Sequence, residues 1–374
     1  MGKYRFIIVG SGWRSLFYVR IAKALPRDFE LCAMLCRTQE KAEQTAAAHG
    51  IHTTTSVEEC VELKPDFIIV AVNKDSIADV SKKWLERGFT VLCETPASLK
   101  LETLHELWTL YEQGAKLAVA EQYIYYPFYH AIGQVLKREW IGDPYCAVVS
   151  LAHEYHGASL IRSFLREDMT PFQVTGKTFT FPTVETMSRY EQFADGRMAD
   201  KKRTVAVFEF ADGKVGLYDF DSEQYRSSIR HNYLNIRGPR GEIKDNKIFY
   251  LDQDNLPQSA ELEVTTRTVE VPGEENPNLK RIGQITQIGF KDSHDTVRIP
   301  FFENAALASD ETAIAEVMYG VAAYAKGERP RSGELRKPYY PLRSALQDSY
   351  MTILLQQAIA AGETVRSTEQ PWHK

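Results

Sequence analysis

The sequence predicts an α/β chain, with a doubly wound parallel sheet in its first third and then an α+β part built on a mostly antiparallel sheet. Three observations carry that expectation. Short apolar runs alternate with helically spaced segments up to about Gln122, a glycine-rich turn follows the first run, and hairpin signals replace the alternation further on.

Tyr4–Val9, Glu30–Cys36, Phe67–Val72, Thr90–Cys93 and Leu117–Ala120 are strand-like runs, mostly bounded by turn residues. Between them, Leu16, Val19, Ile21 and Leu25, and then Ile77, Val80, Trp84 and Leu85, keep helical spacing. Strands linked by such helices pair in parallel. After Gln122 an aromatic run (Tyr123, Tyr125, Tyr126, Phe128, Tyr129) enters a helix expected to end near Gly142-Asp143-Pro144. At that spacing the tyrosines suit a core as well as a platform for stacking a sugar ring. Thr204–Phe210 and Val215–Phe220 flank a hairpin turn at Ala211-Asp212-Gly213-Lys214, and Tyr233–Arg237 and Lys247–Leu251 flank Gly-Pro-Arg-Gly. Residues 258–300 look polar and turn-rich. Helices at about Asn304–Lys326 and Leu342–Ala361 close the chain.

The 374 residues carry 45 Lys and Arg against 50 Asp and Glu, a net charge of -5. That balance offers no basic footprint for nucleic acid or an anionic membrane, and leaves a small neutral or anionic partner. No run approaches the ~20 apolar residues that span a bilayer, and the first strand starts at once, so a cytoplasmic location is expected. Cys32, Cys36, Cys60, Cys93 and Cys146 form no CxxC pair and suggest packed, reduced thiols, with no metal site.

Gly10-Ser11-Gly12-Trp13-Arg14-Ser15 directly follows a strand and opens a helix. In that setting Gly10 permits the tight turn, Gly12 admits a pyrophosphate to the backbone, and the helix start supplies free N–H groups, so Gly10, Ser11, Gly12, Trp13 and Arg14 are expected to bind a dinucleotide. Ser15 replaces the third glycine. The second strand ends in Arg37-Thr38 with no carboxylate for a ribose 2'-hydroxyl. Arg37, supported by Thr38, therefore favours NADP over NAD, unless it is merely a solvated strand-end cation.

The first strand with its glycine turn, Cys93-Glu94-Thr95-Pro96 after the fourth strand, and the aromatic-Pro entry to a second domain together resemble the Gfo/Idh/MocA family (glucose-fructose oxidoreductase, inositol dehydrogenase, MocA). The resemblance implies a Rossmann domain over residues 1–122 and an α+β domain with a large open sheet over 123–374 for substrate binding and oligomerisation. It implies hydride transfer between NAD or NADP and a sugar, cyclitol or sugar acid, and a homodimer or homotetramer. Val72, Asn73, Glu94, Thr95 and Gln122, at the following strand ends, complete the expected cofactor lining.

This chain departs from the family where the chemistry sits. Thr95 stands where Glu-Lys-Pro has its Lys. Aligning Asp-x-Gly-x-His-x-x-Asp on His153–Arg162 puts Tyr155, Ser159 and Arg162 in place of Asp, His and Asp, and Ile124 replaces an Arg. His156, whose side-chain type titrates near neutrality, is then the candidate base, with Tyr155 and Tyr123 orienting or relaying the proton. His153, Arg162 and Tyr125 are candidate substrate contacts. Arg162 either holds an anionic group or forms a buried pair with Glu154 or Asp168. The losses leave open a non-catalytic dinucleotide-binding sensor or assembly partner, or a domain that binds no nucleotide.

Overall fold

The structure is a computed structural model and describes residues 2–188, 191–271, 280–300, 302, 305–327 and 340–374. The first part runs β1 (Tyr4–Val9), α1 (Ser15–Ala24), β2 (Phe29–Leu35), α2 (Gln39–His49), β3 (Thr53–Thr54), α3 (Val57–Glu62), β4 (Phe67–Val70), α4 (Ile77–Glu86), β5 (Thr90–Cys93), α5 (Leu101–Glu112) and β6 (Leu117–Val119). All six strands are parallel, in the order β3-β2-β1-β4-β5-β6. The order reverses between β1 and β4, which opens a crevice at their carboxyl ends.

Strand periodicity decides what covers each face. Ile7 and Val9 share a buried cluster with Val70, Val91 and Cys93, whereas Phe6 and Ile8 pack with Phe67, Ile69 and Leu92 on the opposite face. Every residue of β4 and β5 is buried, as a sheet covered on both sides requires.

The second part runs α6 (Pro127–Leu136), β7 (Cys146–Ser150), α7 (Glu154–Leu165), β8 (Phe172–Val184), β9 (Met198–Phe210), β10 (Val215–Asp221), β11 (Tyr233–Gly238), β12 (Gly241–Lys244), β13 (Lys247–Leu251), β14 (Pro257–Glu270), β15 (Arg281–Phe290), β16 (Thr296–Arg298), α8 (Ser309–Lys326), α9 (Leu342–Ala361) and β17 (Val365–Arg366). Its described strands form one sheet in the order β16-β15-β14-β13-β12-β11-β7-β10-β9-β8-β17, antiparallel except for the β7–β10 pair.

Several expectations are corrected. The polar stretch 258–300 holds two long strands, β14 and β15, paired from Leu262↔Phe290 to Glu270↔Arg281. Their largely exposed side chains hid them from an apolar pattern. The Gly-Pro-Arg-Gly turn leads into β12, so a second turn separates it from β13. Helix α6 stops at Leu136, six residues before Gly142. Helix α8 starts at Ser309, and the expected start at Asn304 lies outside the described residues.

Helix α8 returns to the first sheet. Ile314, Val317, Met318 and Val321 join the cluster of Phe6, Ile8 and α1, and Glu311 pairs with Arg20 at 2.5 Å. Helix α9 packs on α7 and β8.

Candidate functional site

The crevice at the strand ends is lined first by the glycine turn. Gly10 has φ +109°, and a Cβ there would lie 2.4 Å from the Ala71 carbonyl oxygen at the end of β4, so only glycine fits. A Cβ on Gly12 would meet open space. Among the described residues, the backbone N–H groups of Ser11, Gly12 and Arg14 have no hydrogen-bond partner. Free donors before a helix start form a cradle for an anion such as a pyrophosphate, so the turn fits a dinucleotide. Ser15 is fully buried and its hydroxyl donates to the Ala71 carbonyl at 3.4 Å, tying α1 to the sheet as a third glycine would allow.

Glu94, following β5, is held by Arg14 Nε at 2.5 Å and the Tyr18 hydroxyl at 2.6 Å on one oxygen, and by the Thr95 N–H at 3.2 Å on the other. Gln122 joins this network. In the amide orientation that satisfies both its groups, it accepts from Arg14 at 3.1 Å and donates to the Ala120 carbonyl at 2.5 Å. Trp13 is exposed and packs edge-on against Phe17. The Thr95–Pro96 bond is cis.

A second network joins the two parts of the chain. His156, in the first turn of α7, meets Glu121 with Nδ1 2.5 Å from Oε2, and both side chains are buried. Glu121 Oε1 accepts the Tyr123 N–H at 2.9 Å. Burial pushes the Glu121 carboxyl up to about 8 and holds the His156 imidazole down to about 3. Both shifts oppose net charge, so the pair is neutral overall at neutral pH. Tyr123 lies against the His156 ring, 4.3 Å between centroids.

His153 precedes α7. Its Nε2 is 2.7 Å from the Tyr155 hydroxyl, and its Nδ1 is 2.5 Å from that of Tyr225, which also accepts the His153 N–H at 3.0 Å. Tyr225 also lies within the electrostatic reach of Tyr123. Tyr155 reaches Thr95, 3.5 Å from its carbonyl oxygen. Burial holds His153 down to about 3, a neutral imidazole.

Glu121 and Tyr225 were absent from the expected set. A carboxylate just after β6 was the available signal for Glu121, and nothing local marks Tyr225, which comes from a short helical turn after β10. Gly157 takes the Tyr218 ring, which would lie 2.5 Å from a Cβ. Arg162 is also corrected. Its Nη1 contacts Asp348 at 2.6 Å and the Ser344 carbonyl at 3.2 Å, and Nε and Nη2 donate to the Asp168 carbonyl. The guanidinium is spent inside the protein. Its closest carboxylate partner is Asp348 on α9; Asp168, one of the two expected, pairs more loosely at 3.8 Å.

Tyr125 packs edge-on to His130, within the electrostatic reach of Glu316 on α8. Arg37 is exposed with no partner among the described residues, whereas Thr38 caps α2 by accepting the Lys41 N–H at 3.3 Å. Val72 borders Gly10, and Asn73 closes a turn by accepting the Ser76 N–H at 3.0 Å. The five cysteines are free. No helix among the described residues is long and apolar enough to cross a membrane.

Residues 4–123 match the family model GFO_IDH_MocA, an oxidoreductase family with an NAD-binding Rossmann fold. That segment belongs to the Gfo/Idh/MocA family. No curated protein matches the chain. Among solved structures it is similar to an NAD binding oxidoreductase from Klebsiella pneumoniae, at 15% identity and TM-score 0.65, covering 99% of this chain and 100% of that one. It is also similar to the WlbA dehydrogenase from Bordetella pertussis in complex with NADH and UDP-GlcNAcA, at 15% identity, TM-score 0.63 and 99% of each chain. GenD2 from gentamicin A biosynthesis, in complex with NAD, shares 16% identity and TM-score 0.64 over 99% of this chain and 97% of its own. The fold shared with these structures runs through both sheets. Two of the residues that depart from the family motifs are engaged here in bonds of their own, Thr95 with Tyr155 and Ser159 with the His156 carbonyl at 3.1 Å.

Proposed function

We propose that the chain is an NADP- or NAD-dependent oxidoreductase acting on a carbinol carbon of a sugar, cyclitol or sugar-like substrate. The observation that carries this is the buried Glu121–His156 pair beside the Glu94–Thr95 loop, at the mouth of a crevice that fits a dinucleotide. The bound nicotinamide supplies the hydride acceptor or donor. The chain's own residues do the rest. Ser11, Gly12 and Arg14 present backbone donors to the pyrophosphate, and Arg14 with Gln122 fixes Glu94 under the loop. Glu121 holds Nδ1 of His156, which leaves Nε2 to take the proton from the substrate hydroxyl during oxidation.

Oxidation needs the pair one proton short of neutral, with Glu121 ionised and Nε2 bare. Because burial sets the Glu121 carboxyl at about 8, the competent form grows as pH rises towards that value. Single-turnover reduction of bound cofactor on a panel of sugars, polyols and sugar acids is expected to rise about tenfold per pH unit below 8 and level off above it. Glu121→Gln is expected to flatten this dependence and slow the step ~10²-fold or more. If no substrate reduces bound cofactor and His156→Ala changes nothing, the enzyme reading fails. The sensor reading, motivated by Thr95, Tyr155 and Ser159 in place of titrating family residues, then takes its place.

A further inference from the structure

Apart from the Glu121–His156 pair, the site contains a chain of four polar groups whose hydrogen-bond direction follows from counting donors and acceptors. The Tyr225 hydroxyl oxygen accepts the backbone N–H of His153 at 3.0 Å, so it has one acceptor position and one proton left. His153 Nδ1, at 2.5 Å, either donates to it or accepts from it. The far end of the chain decides between them: the Tyr155 hydroxyl donates to the Thr95 carbonyl at 3.5 Å, so its oxygen accepts from His153 Nε2, and a neutral imidazole that donates from Nε2 accepts at Nδ1. Tyr225 must then donate to Nδ1. A neutral imidazole with Nδ1 accepting carries its proton on Nε2, which donates to Tyr155 at 2.7 Å. The Tyr155 proton is left with only the Thr95 carbonyl at 3.5 Å, a long contact that a better acceptor displaces.

We infer that Tyr225 is a positioning residue: acting through His153, it turns the Tyr155 hydroxyl into a donor for a substrate oxygen beside Thr95. The inference rests on the oxidoreductase reading. An alcohol oxygen that gives its proton to His156 still accepts from Tyr155, and does so more strongly as it becomes a carbonyl. No side-chain hydrogen bond among the described residues runs from Tyr225, His153 or Tyr155 to the Glu121–His156 pair, so the two networks are distinct. The first directs a donor and the second moves the proton.

Nitrogen-15 NMR of the full chain with labelled histidine, saturated with NADP or NAD, reads the direction. His153, assigned by its loss in His153→Asn, is expected to hold its proton on Nε2 from pH 5 to 8 without titrating. Tyr225→Phe is expected to move that proton to Nδ1 or to a mixture, leaving the His156 signals and cofactor affinity unchanged. On any substrate that the unaltered chain turns over, Tyr225→Phe should lower kcat about tenfold or more and keep the apparent pKa near 8. An Nδ1–H tautomer in the unaltered chain, or an unmoved tautomer in Tyr225→Phe, overturns the inference. If the unaltered chain turns over nothing, the oxidoreductase reading falls and the tautomer still decides the direction of the chain.

Discussion

Arg37 stands at the end of β2 with its guanidinium exposed and unpaired among the described residues. A charge-assisted bond from such a group to a 2'-phosphate contributes about 1.5–3 kcal/mol, whereas a solvated Arg contributes nothing to cofactor choice. Arg37→Asp is therefore expected to lower the preference for NADP over NAD by roughly 10- to 100-fold, measured as the ratio of the two Kd values at constant ionic strength. An unchanged ratio would assign Arg37 to solvent. At this scale the sequence exposes groups whose meaning is local. The glycine turn, Glu94 and His156 were legible because their chemistry depends on residue type beside a strand end or helix start. Tyr225 lies 72 positions from His153, and Asp348 lies 186 positions from Arg162. Only the folded sheet brings them together, so Tyr225 was missed and Arg162 was taken as a substrate contact.

Elements were legible where one apolar period ruled. The parallel strands β1, β4 and β5 are buried on both faces and announce themselves as continuous apolar runs. Strands β14 and β15 carry Thr, Gln, Glu and Arg on exposed positions, so their β character was masked by polarity. The short turn Pro371–His373 was equally hidden, yet it staples two helices. Trp372 is fully buried with Nε1 donating to Gln347 of α9 at 3.0 Å, and Gln370 meets His105 of α5 at 2.8 Å. Trp372→Ala removes a large buried ring and leaves the Gln347 amide without that partner, so a loss of about 3–5 kcal/mol is expected in urea unfolding. Trp372→Phe should lose less, because most of the volume stays. A loss below about 1 kcal/mol for the alanine variant would show that the segment merely covers the surface.

For the molecule as a whole, buried neutral imidazoles make stability depend on pH. Burial lowers His130, His153 and His156 to about 3 each, against about 6.5 in an unfolded chain. Below pH 6.5 the unfolded state gains protons that the native state refuses, so each contribution is present above 6.5 and is lost as pH falls towards 3. At ~1.36 kcal/mol per unit, one such histidine withdraws about 2 kcal/mol between pH 7 and pH 5. Glu121 and Asp348 act in the opposite sense. Burial raises their carboxyls to about 8 and about 6, so the native state holds their protons more firmly as pH falls and part of the loss is offset. His130 separates these contributions because it is outside the candidate site, on α6, with Nε2 2.9 Å from Gln134 and Nδ1 unpartnered. Replacing it by leucine removes one titrating group and keeps an apolar side chain in the same packing. Its unfolding free energy is expected to fall by about 2 kcal/mol less than that of the unaltered chain between pH 7 and pH 5. Equal losses in the two proteins would mean that His130 titrates normally in the native state, against its burial.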